Sequence, residues 1–140
     1  MSEKLRVLFV CVGNSCRSQM AEGFARTYGS DVLVPASAGL VPALAVAPDT
    51  KRVMQEKNID LSAHYPKSLD HMGRMDFDLV VNMSGYMLPD TIALPVVEWN
   101  VKDPIRASLQ VHREVRDQIE NLVMELVLSR RRAQKQRLKR

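Results

Sequence analysis

The chain has 140 residues, of which 46% are hydrophobic, so it has the size and composition of one ordinary domain that can bury its own core. Its formal charge of +4 is uneven, because the last twelve residues, SRRRAQKQRLKR, hold seven lysines and arginines and no acid, which leaves the rest at −3. The two cysteines are too few for a secreted disulfide scaffold, and no histidine stands at ligand-like spacing to them, which argues against a zinc site.

The termini carry no sign of membrane insertion or export. No apolar stretch is long enough to span a bilayer, and the start, MSEKLRVLFV, lacks the shape of a signal peptide. We therefore expect a cytoplasmic protein with no membrane partner, no metal site and no cofactor.

Short apolar runs alternate with amphipathic segments along the chain. The pattern predicts strands at 6–10, 32–35, 77–82 and 96–98, and helices at 18–28, 49–58 and 109–128. Such alternation is typical of a single-domain α/β fold, a three-layer sandwich in which a four-stranded parallel sheet has helices on both faces. We expect this domain over residues 1–128, followed by a basic C-terminal tail at 129–140. Ligands of such sheets bind beyond the carboxyl ends of the strands.

The loop between the first strand and the first helix has the features of an anion site. Backbone N–H groups at a helix N-terminus can turn inward around one point, helped by Gly13 and Asn14, which tolerate unusual backbone angles. The Arg17 guanidinium can close this ring with a fork of donors that matches two oxygens of a tetrahedral oxyanion. The predicted substrate-binding residues all lie in this loop: Val12, Gly13, Asn14, Ser15, Cys16, Arg17 and Ser18.

Cys11 lies at the start of this loop, where the first strand ends. Inward amides, a helix N-terminus and a nearby guanidinium favour thiolate over thiol, and the Ser18 hydroxyl can donate a further hydrogen bond to the sulfur. The loop thus combines a nucleophile with a cradle for a phosphate-like anion. A lone cysteine is usually just a small buried residue, but that interpretation leaves Arg17 and the spacing Cys-x5-Arg-Ser without a role.

The segment VLFVCVGNSCRSQMAEGFAR resembles the N-terminal signature of the low-molecular-weight protein tyrosine phosphatases and of the arsenate reductases that share their fold. Further segments follow in the family's order: SAG at 37–39, NIDLSAH at 58–64, FDLVVNM at 77–83 and EWNVKDP at 98–104. The resemblance extends over nearly the whole chain up to the basic tail. It implies that Cys11 is the nucleophile, that Arg17 binds the oxyanion and that Asp103 is the general acid.

The resemblance also implies supporting residues around the loop. Ser18 would steady the thiolate, and Asn14 would hold the shape of the loop together with Ser37. The role of Asp103 has independent support, because a carboxyl group placed by a rigid proline can protonate a leaving oxygen. Without the loop between the first strand and the first helix, Asp103-Pro104 would be interpreted as an ordinary turn.

Cys16 has two interpretations. In resembling phosphatases the cysteine here pairs reversibly with the nucleophile, which protects the nucleophile from irreversible oxidation. Alternatively, Cys16 is a small residue at the entry to the helix. The choice depends on loop geometry.

The sequence differs from the thioredoxin-coupled reductases in its electron supply, and from some reductases at a potassium site. Those reductases carry two further cysteines after the third strand, whereas here Ser84 stands where the first would lie. Reduction of arsenate would therefore need an external thiol to attack the Cys11–arsenic adduct. In those reductases with a potassium site, the ligands are an asparagine, a glutamate, a serine and an aspartate. The first three correspond to Asn14, Glu22 and Ser37 here. The position of the aspartate is near Lys67, and the Lys67 ammonium would take the place of the potassium ion.

The tyrosine phosphatases differ at the walls of the pocket. They usually show Asp-Pro-Tyr, whereas Ile105 follows Pro104 here. The loop after the second strand holds no aromatic residue, so Leu40, Leu44 and Val46 are the predicted walls, which give less contact to a phosphotyrosine ring.

Our first interpretation is a cysteine-dependent phosphomonoesterase, similar to protein tyrosine phosphatases, that acts through a phosphocysteine intermediate. The alternative is an arsenate reductase that uses an external thiol such as glutathione, mycothiol or a thioredoxin-type protein. The partners would be a phosphorylated protein or a small phosphate or arsenate oxyanion. A third interpretation is a non-catalytic anion sensor or a nucleic-acid-binding module that uses the tail. It is disfavoured because it needs neither Cys11 nor Asp103, and because no aromatic residue in the tail could stack on bases.

Overall fold

A computed structural model describes residues 3–72 and 76–138 and contains four strands, three α-helices and one short 3₁₀ helix. In chain order these are β1 (Leu5–Cys11), α1 (Arg17–Tyr28), β2 (Leu33–Gly39), α2 (Pro48–Gln55), the 3₁₀ helix (Asp70–Met72), β3 (Leu79–Asn82), β4 (Val96–Glu98) and α3 (Leu109–Leu138). None of the helices in these residues is both long and apolar enough to cross a membrane.

The strands form one fully parallel sheet in the order β2-β1-β3-β4. The central strand β1 ends at Cys11, which is level with Gly39 of β2, while Val10 is level with Asn82 of β3. The loops that follow the strands therefore meet at one edge of the sheet, as expected for a parallel α/β fold. The predicted four-stranded parallel sheet in a single-domain α/β fold is confirmed.

The two faces of the sheet are covered differently. All three α-helices contribute to the larger core, in which Phe9 of β1 is buried with Phe24, Met54 and Ile119. The opposite face of the sheet has a smaller core. The 3₁₀ helix and the irregular segment 83–95 pack over this core. Gly85, Pro89 and Pro95 interrupt that segment, which accounts for a second layer without a described α-helix.

Several predicted boundaries are wrong. Strand β2 continues to Gly39 instead of ending at residue 35, because residues 36–39 remain paired with β1. Helix α2 ends at Gln55 instead of residue 58, and Asn58 has a left-handed φ of 60° that a helix excludes. Helix α3 continues to Leu138, ten residues past its predicted end, so residues 129–138 of the basic tail form the last turns of this helix.

Candidate functional site

The loop between β1 and α1 is held from outside by the chain that follows β2. The carbonyl oxygens of residues 11, 12 and 13 accept hydrogen bonds from the amides of residues 40, 41 and 43, at 3.1, 2.8 and 2.9 Å. Asn14 takes a left-handed φ of 51°, which turns the chain towards α1. Among the described residues, no acceptor is bonded to the amides of residues 12–16. The carbonyl groups of the loop therefore point outward, and its N–H groups remain available to bind an anion.

Gly39 allows the loop to approach β2 closely. A Cβ atom at this position would lie 2.7 Å from the Val12 carbonyl oxygen and 2.8 Å from the Asn14 nitrogen. Both are backbone atoms of the loop, so a side chain here would displace the loop itself.

Arg17 is buried, with 4% of its surface exposed, and its guanidinium is fixed on one side. Nη1 donates hydrogen bonds to the carbonyl oxygens of Met83 and, at 3.1 Å, Val101. Nη2 lies 3.4 Å from Oδ2 of Asp103, whereas the buried Nε has no partner among the described residues. A buried donor without an acceptor is costly, and an oxyanion in the loop would satisfy it.

Cys11 is also buried, and its sulfur lies 2.9 Å from the Ser18 hydroxyl oxygen. That oxygen accepts a 2.7 Å hydrogen bond from Nδ2 of Asn14. Because Asn14 supplies a hydrogen to Ser18, the hydroxyl hydrogen of Ser18 is left to point at the sulfur. Ser18 can therefore donate a hydrogen bond to the Cys11 sulfur, although either atom of this pair can be the donor.

Asn14 and Ser37, which the resemblance implies support the loop together, have different hydrogen-bond partners. Ser37 donates a 2.5 Å hydrogen bond to Oε1 of Glu22. Asn14 is instead held by Gln19, whose Nε2 donates to its carbonyl and side-chain oxygens, both at 3.1 Å, and by the amide of Lys67 at 2.9 Å. Ser37 therefore supports α1 through Glu22, not the loop through Asn14.

Gln19 and His64 were missed in the sequence. Gln19 is completely buried, and its Oε1 lies 2.9 Å from Nδ1 of His64. Burial lowers the pKa of His64. The one sequence signal for Gln19 is its position in the first turn after the loop, where a polar side chain on a buried helix needs a partner.

Glu22 has a cationic neighbour other than the predicted one. Arg26 lies 2.8 Å from its Oε2, whereas the Lys67 ammonium donates to the Tyr65 carbonyl oxygen at 3.1 Å and lies over the Tyr65 ring. Burial lowers the pKa of Lys67, and the charge of Glu22 opposes that shift. Arg26 thus pairs with Glu22, one counterpart of the potassium ligands, and this pairing disfavours a further cation at Glu22.

A cavity of about 190 Å³ opens above the loop. It is lined by Cys11, Val12, Gly13, Ser15, Cys16, Arg17, Ala43, Asp103 and Ile105. The structure thus brings Cys11, Arg17 and Asp103 to one cavity, although Asp103 lies far from the others in sequence. The Asp103 side chain is 41% exposed, and its Oδ1 accepts a 3.1 Å hydrogen bond from the Ile105 amide, which fixes the carboxylate at the mouth.

The predicted aliphatic walls are wrong. Val46 is buried in the larger core, Leu40 packs against the smaller core, and Leu44 is fully exposed. Ala43 takes their place because its amide is bonded to the Gly13 carbonyl, and Ile105 forms the other side. The cavity therefore has a small, aliphatic mouth.

Two further positions singled out in the sequence, Ser84 and Cys16, are buried. Ser84 is buried and donates a 2.7 Å hydrogen bond to Asn82 Oδ1 at the end of β3. Cys16 is the N-cap of α1, 3% exposed, and both cysteines are free thiols. Burial raises the pKa of Cys16.

A parallel sheet with a Cys-x5-Arg loop at the end of its first strand, and an aspartate across the cavity, defines a class of cysteine-dependent enzymes that handle phosphate-like oxyanions. The family model of the low molecular weight phosphotyrosine protein phosphatases matches residues 6–139, and the chain belongs to this family.

Individual relatives carry two kinds of name. The chain is 36% identical over 126 residues to a glutaredoxin arsenate reductase of Synechocystis, an alignment that covers 87% of this chain and 95% of the relative. It is also similar to the solved structure of an arsenate reductase in the phosphate-binding state, with a TM-score of 0.81 and 36% identity over 93% of this chain and 99% of that one. An arginine phosphatase from Geobacillus stearothermophilus shares 25% identity with a TM-score of 0.73, and the match covers 96% of both chains.

Proposed function

We propose that this protein is an arsenate reductase that takes its electrons from an external thiol. The observation that carries the proposal is the 36% identity to proteins named arsenate reductases over nearly the whole chain, in a protein whose Cys11, Arg17 and Asp103 share one cavity. The comparisons therefore favour the alternative interpretation of the sequence over the phosphatase interpretation.

The geometry supports a first step on arsenate. The loop amides and Nε of Arg17 would hold three arsenate oxygens, and Cys11 would attack arsenic from below. An arsenate hydroxyl would leave as water after it accepts a proton from Asp103, which lies at the open side of the cavity. Arsenate fits a cavity of this size without any aromatic wall.

The electron source must lie outside the chain after the first turnover. Reduction of arsenate to arsenite takes two electrons, and the chain has only two cysteines, Cys11 and Cys16. Ser84, at the position of the first relay cysteine of the thioredoxin-coupled reductases, cannot form a disulfide. The name of the Synechocystis relative points to glutaredoxin as the first donor to test.

The test is steady-state arsenite production by the purified protein with glutathione and glutaredoxin, with mycothiol and mycoredoxin, or with thioredoxin and its reductase. We expect turnover with at least one donor and none for Cys11→Ser in any of them. Failure of all three donors to support arsenite formation by the wild type would refute the proposal.

A phosphomonoesterase is the second candidate, and the position of Asp103 favours it. A half-exposed carboxylate across the cavity from the nucleophile could protonate the leaving oxygen of a phosphate ester and then activate water against a phosphocysteine. Hydrolysis of p-nitrophenyl phosphate, lost in Cys11→Ser, measures this activity in the same preparations. Efficient phosphate release without arsenite formation would favour the phosphatase.

A further inference from the structure

We propose that Cys16 is the thiol that resolves the Cys11–arsenic adduct, with the buried hydroxyl of Thr50 as its positioning group. This inference rests on the proposed reduction of arsenate. It assigns Cys16 a role in each turnover, and it assigns the external thiol the later task of reducing a disulfide within the loop.

Both sulfurs belong to one small site. Cys11 and Cys16 line the same cavity of about 190 Å³, and each is almost completely buried. Cys16 is the N-cap residue of α1, at the positive end of that helix, and no side chain of the described residues caps the helix there. A negative charge on the Cys11 sulfur raises the pKa of the Cys16 thiol.

Thr50 supplies an independent observation. It lies in the first turn of α2, is completely buried, and its hydroxyl has no hydrogen-bond partner in the structure of residues 3–72 and 76–138. Burial raises the pKa of the Cys16 thiol, and the Thr50 hydroxyl acts in the opposite direction and lowers it. A buried hydroxyl without a partner costs stability, and a thiolate at Cys16 would give it an acceptor.

The chemistry balances with these groups alone. The Cys16 thiolate attacks Cys11 Sγ, a sulfur–sulfur bond forms, and the sulfur–arsenic bond breaks with its electron pair left on arsenic. Arsenic(V) becomes arsenic(III) and leaves as arsenite, while the two cysteines together lose two electrons and the proton of Cys16 passes to solvent. Two molecules of a small thiol, or one dithiol protein, then reduce the disulfide by exchange.

The decisive experiment is a single turnover without external thiol. Fully reduced protein is freed of reductant, mixed with arsenate, and arsenite is measured by chromatography with arsenic detection. We expect the wild type to release about one arsenite per chain, and Cys16→Ser to release less than about a tenth of that. Residues 7–17 form one tryptic peptide with both cysteines, and its mass should fall by that of two hydrogens in the wild type only.

Thr50→Val tests the hydroxyl, with Thr50→Ser as the matched control that keeps it. Cys16 also shares its surroundings with Cys11, Arg17 and Asp103, and all three are unchanged in these variants. We expect Thr50→Val to slow the single turnover about fivefold near neutral pH, the effect of one lost hydrogen bond, and to move the pH profile to higher pH. Thr50→Ser should restore both the rate and the profile.

The outcomes separate this inference from the proposed function. If the wild type reduces arsenate with an external donor but releases no arsenite without one, or if Cys16→Ser matches the wild type in the single turnover, Cys16 is not the resolving thiol. If no donor supports turnover, both proposals fall. Phosphate binding to Cys16→Ser, measured by calorimetry, shows that the variant keeps a folded loop.

Discussion

At the scale of single residues, the site depends on which hydrogen-bonding groups remain unpaired. The carbonyls of the loop are bonded to residues 40–43, Arg17 is bonded through Nη1 to two carbonyls, and Asn14 directs the hydroxyl of Ser18. The groups left without a partner among the described residues are the backbone N–H groups of the loop and Nε of Arg17, in the same cavity as the Cys11 sulfur. Such preorganised donors cost no rearrangement when an oxyanion binds, which is the usual source of catalysis at sites of this kind.

Asp103 should matter for the chemical step and little for binding. Asp103→Asn keeps the shape of the side chain but cannot give up a proton, so we expect the rate of formation of the Cys11 adduct to fall about 10²- to 10⁴-fold. Phosphate affinity, measured by calorimetry, should be equal or higher, because a negative charge 3.4 Å from Arg17 is removed. A variant with an unchanged rate would exclude Asp103 as the acid.

Gly39 should not tolerate a side chain. In Gly39→Ala the new Cβ would lie within 3.0 Å of three backbone atoms of the loop, so we expect a loss of roughly 1–3 kcal/mol of unfolding free energy and weaker phosphate binding. Gly13→Ala is the matched comparison, because a Cβ there has its nearest contact at 3.7 Å. Urea unfolding should show a smaller loss for Gly13→Ala, and equal losses would contradict the steric argument.

At the scale of elements, helices α2 and α3 are joined by ion pairs at the end of α2. Glu56 lies 2.8 Å from Nη2 of Arg113 and 2.6 Å from Nη1 of Arg116, and Arg116 is itself buried against the Val53 carbonyl. The two guanidinium groups lower the pKa of Glu56 to about 2.

This pairing predicts a pH-dependent contribution to stability. The pKa of Glu56 is depressed in the folded chain, so its stabilising effect should be complete above the ordinary glutamate pKa and lost as the pH falls towards about 2. Glu56→Gln should therefore be less stable than the wild type in urea at pH 7, and the difference should shrink steadily in the acid range. Glu114→Gln, on the exposed side of α3, serves as the control. A difference that does not change with pH would show that the ion pairs carry no stability.

At the scale of the whole molecule, α3 reaches from the site side of the domain to the opposite edge of the sheet. Its last turns are attached near the start of β1: Arg131 bonds both carboxylate oxygens of Asp31 at 2.8 and 2.9 Å, and Gln134 donates to the Glu3 carbonyl at 2.9 Å. The predicted division into a domain at 1–128 and a tail at 129–140 thus falls inside one continuous helix.

Removal of residues 129–140 should lower the melting temperature by a few degrees, because the truncation takes away exposed ion pairs and hydrogen bonds, which stabilise a fold only weakly. Arsenite formation should be unchanged, since these bonds lie at the edge of the sheet opposite the cavity. Calorimetric melting and the donor assay test the two expectations. A loss of activity with intact folding would show that the basic turns serve the reaction, for example by binding the donor, and a gel-shift assay would show whether they bind nucleic acid.

Local patterns in the sequence were sufficient for the elements and for the loop. A buried run that ends in Cys11, followed by Cys-x5-Arg-Ser and an amphipathic helix, predicts strand, anion cradle and helix, because those properties depend on neighbouring residues. The same patterns failed at element ends, as at Asn58 and at the basic end of α3, where interactions with distant residues decide whether the helix continues.

The sequence by itself determined the parallel α/β sheet and predicted Cys11 as the nucleophile with Arg17 beside it, since each follows from residues adjacent in the chain or from a repeated pattern. Only the tertiary structure decided which side chains line the cavity, with Ala43 and Ile105 in place of the expected walls, and that Gln19 is a partner of Asn14. The physical reason is that a wall or a hydrogen bond depends on a few ångströms between segments far apart in sequence, and periodicity does not report such distances.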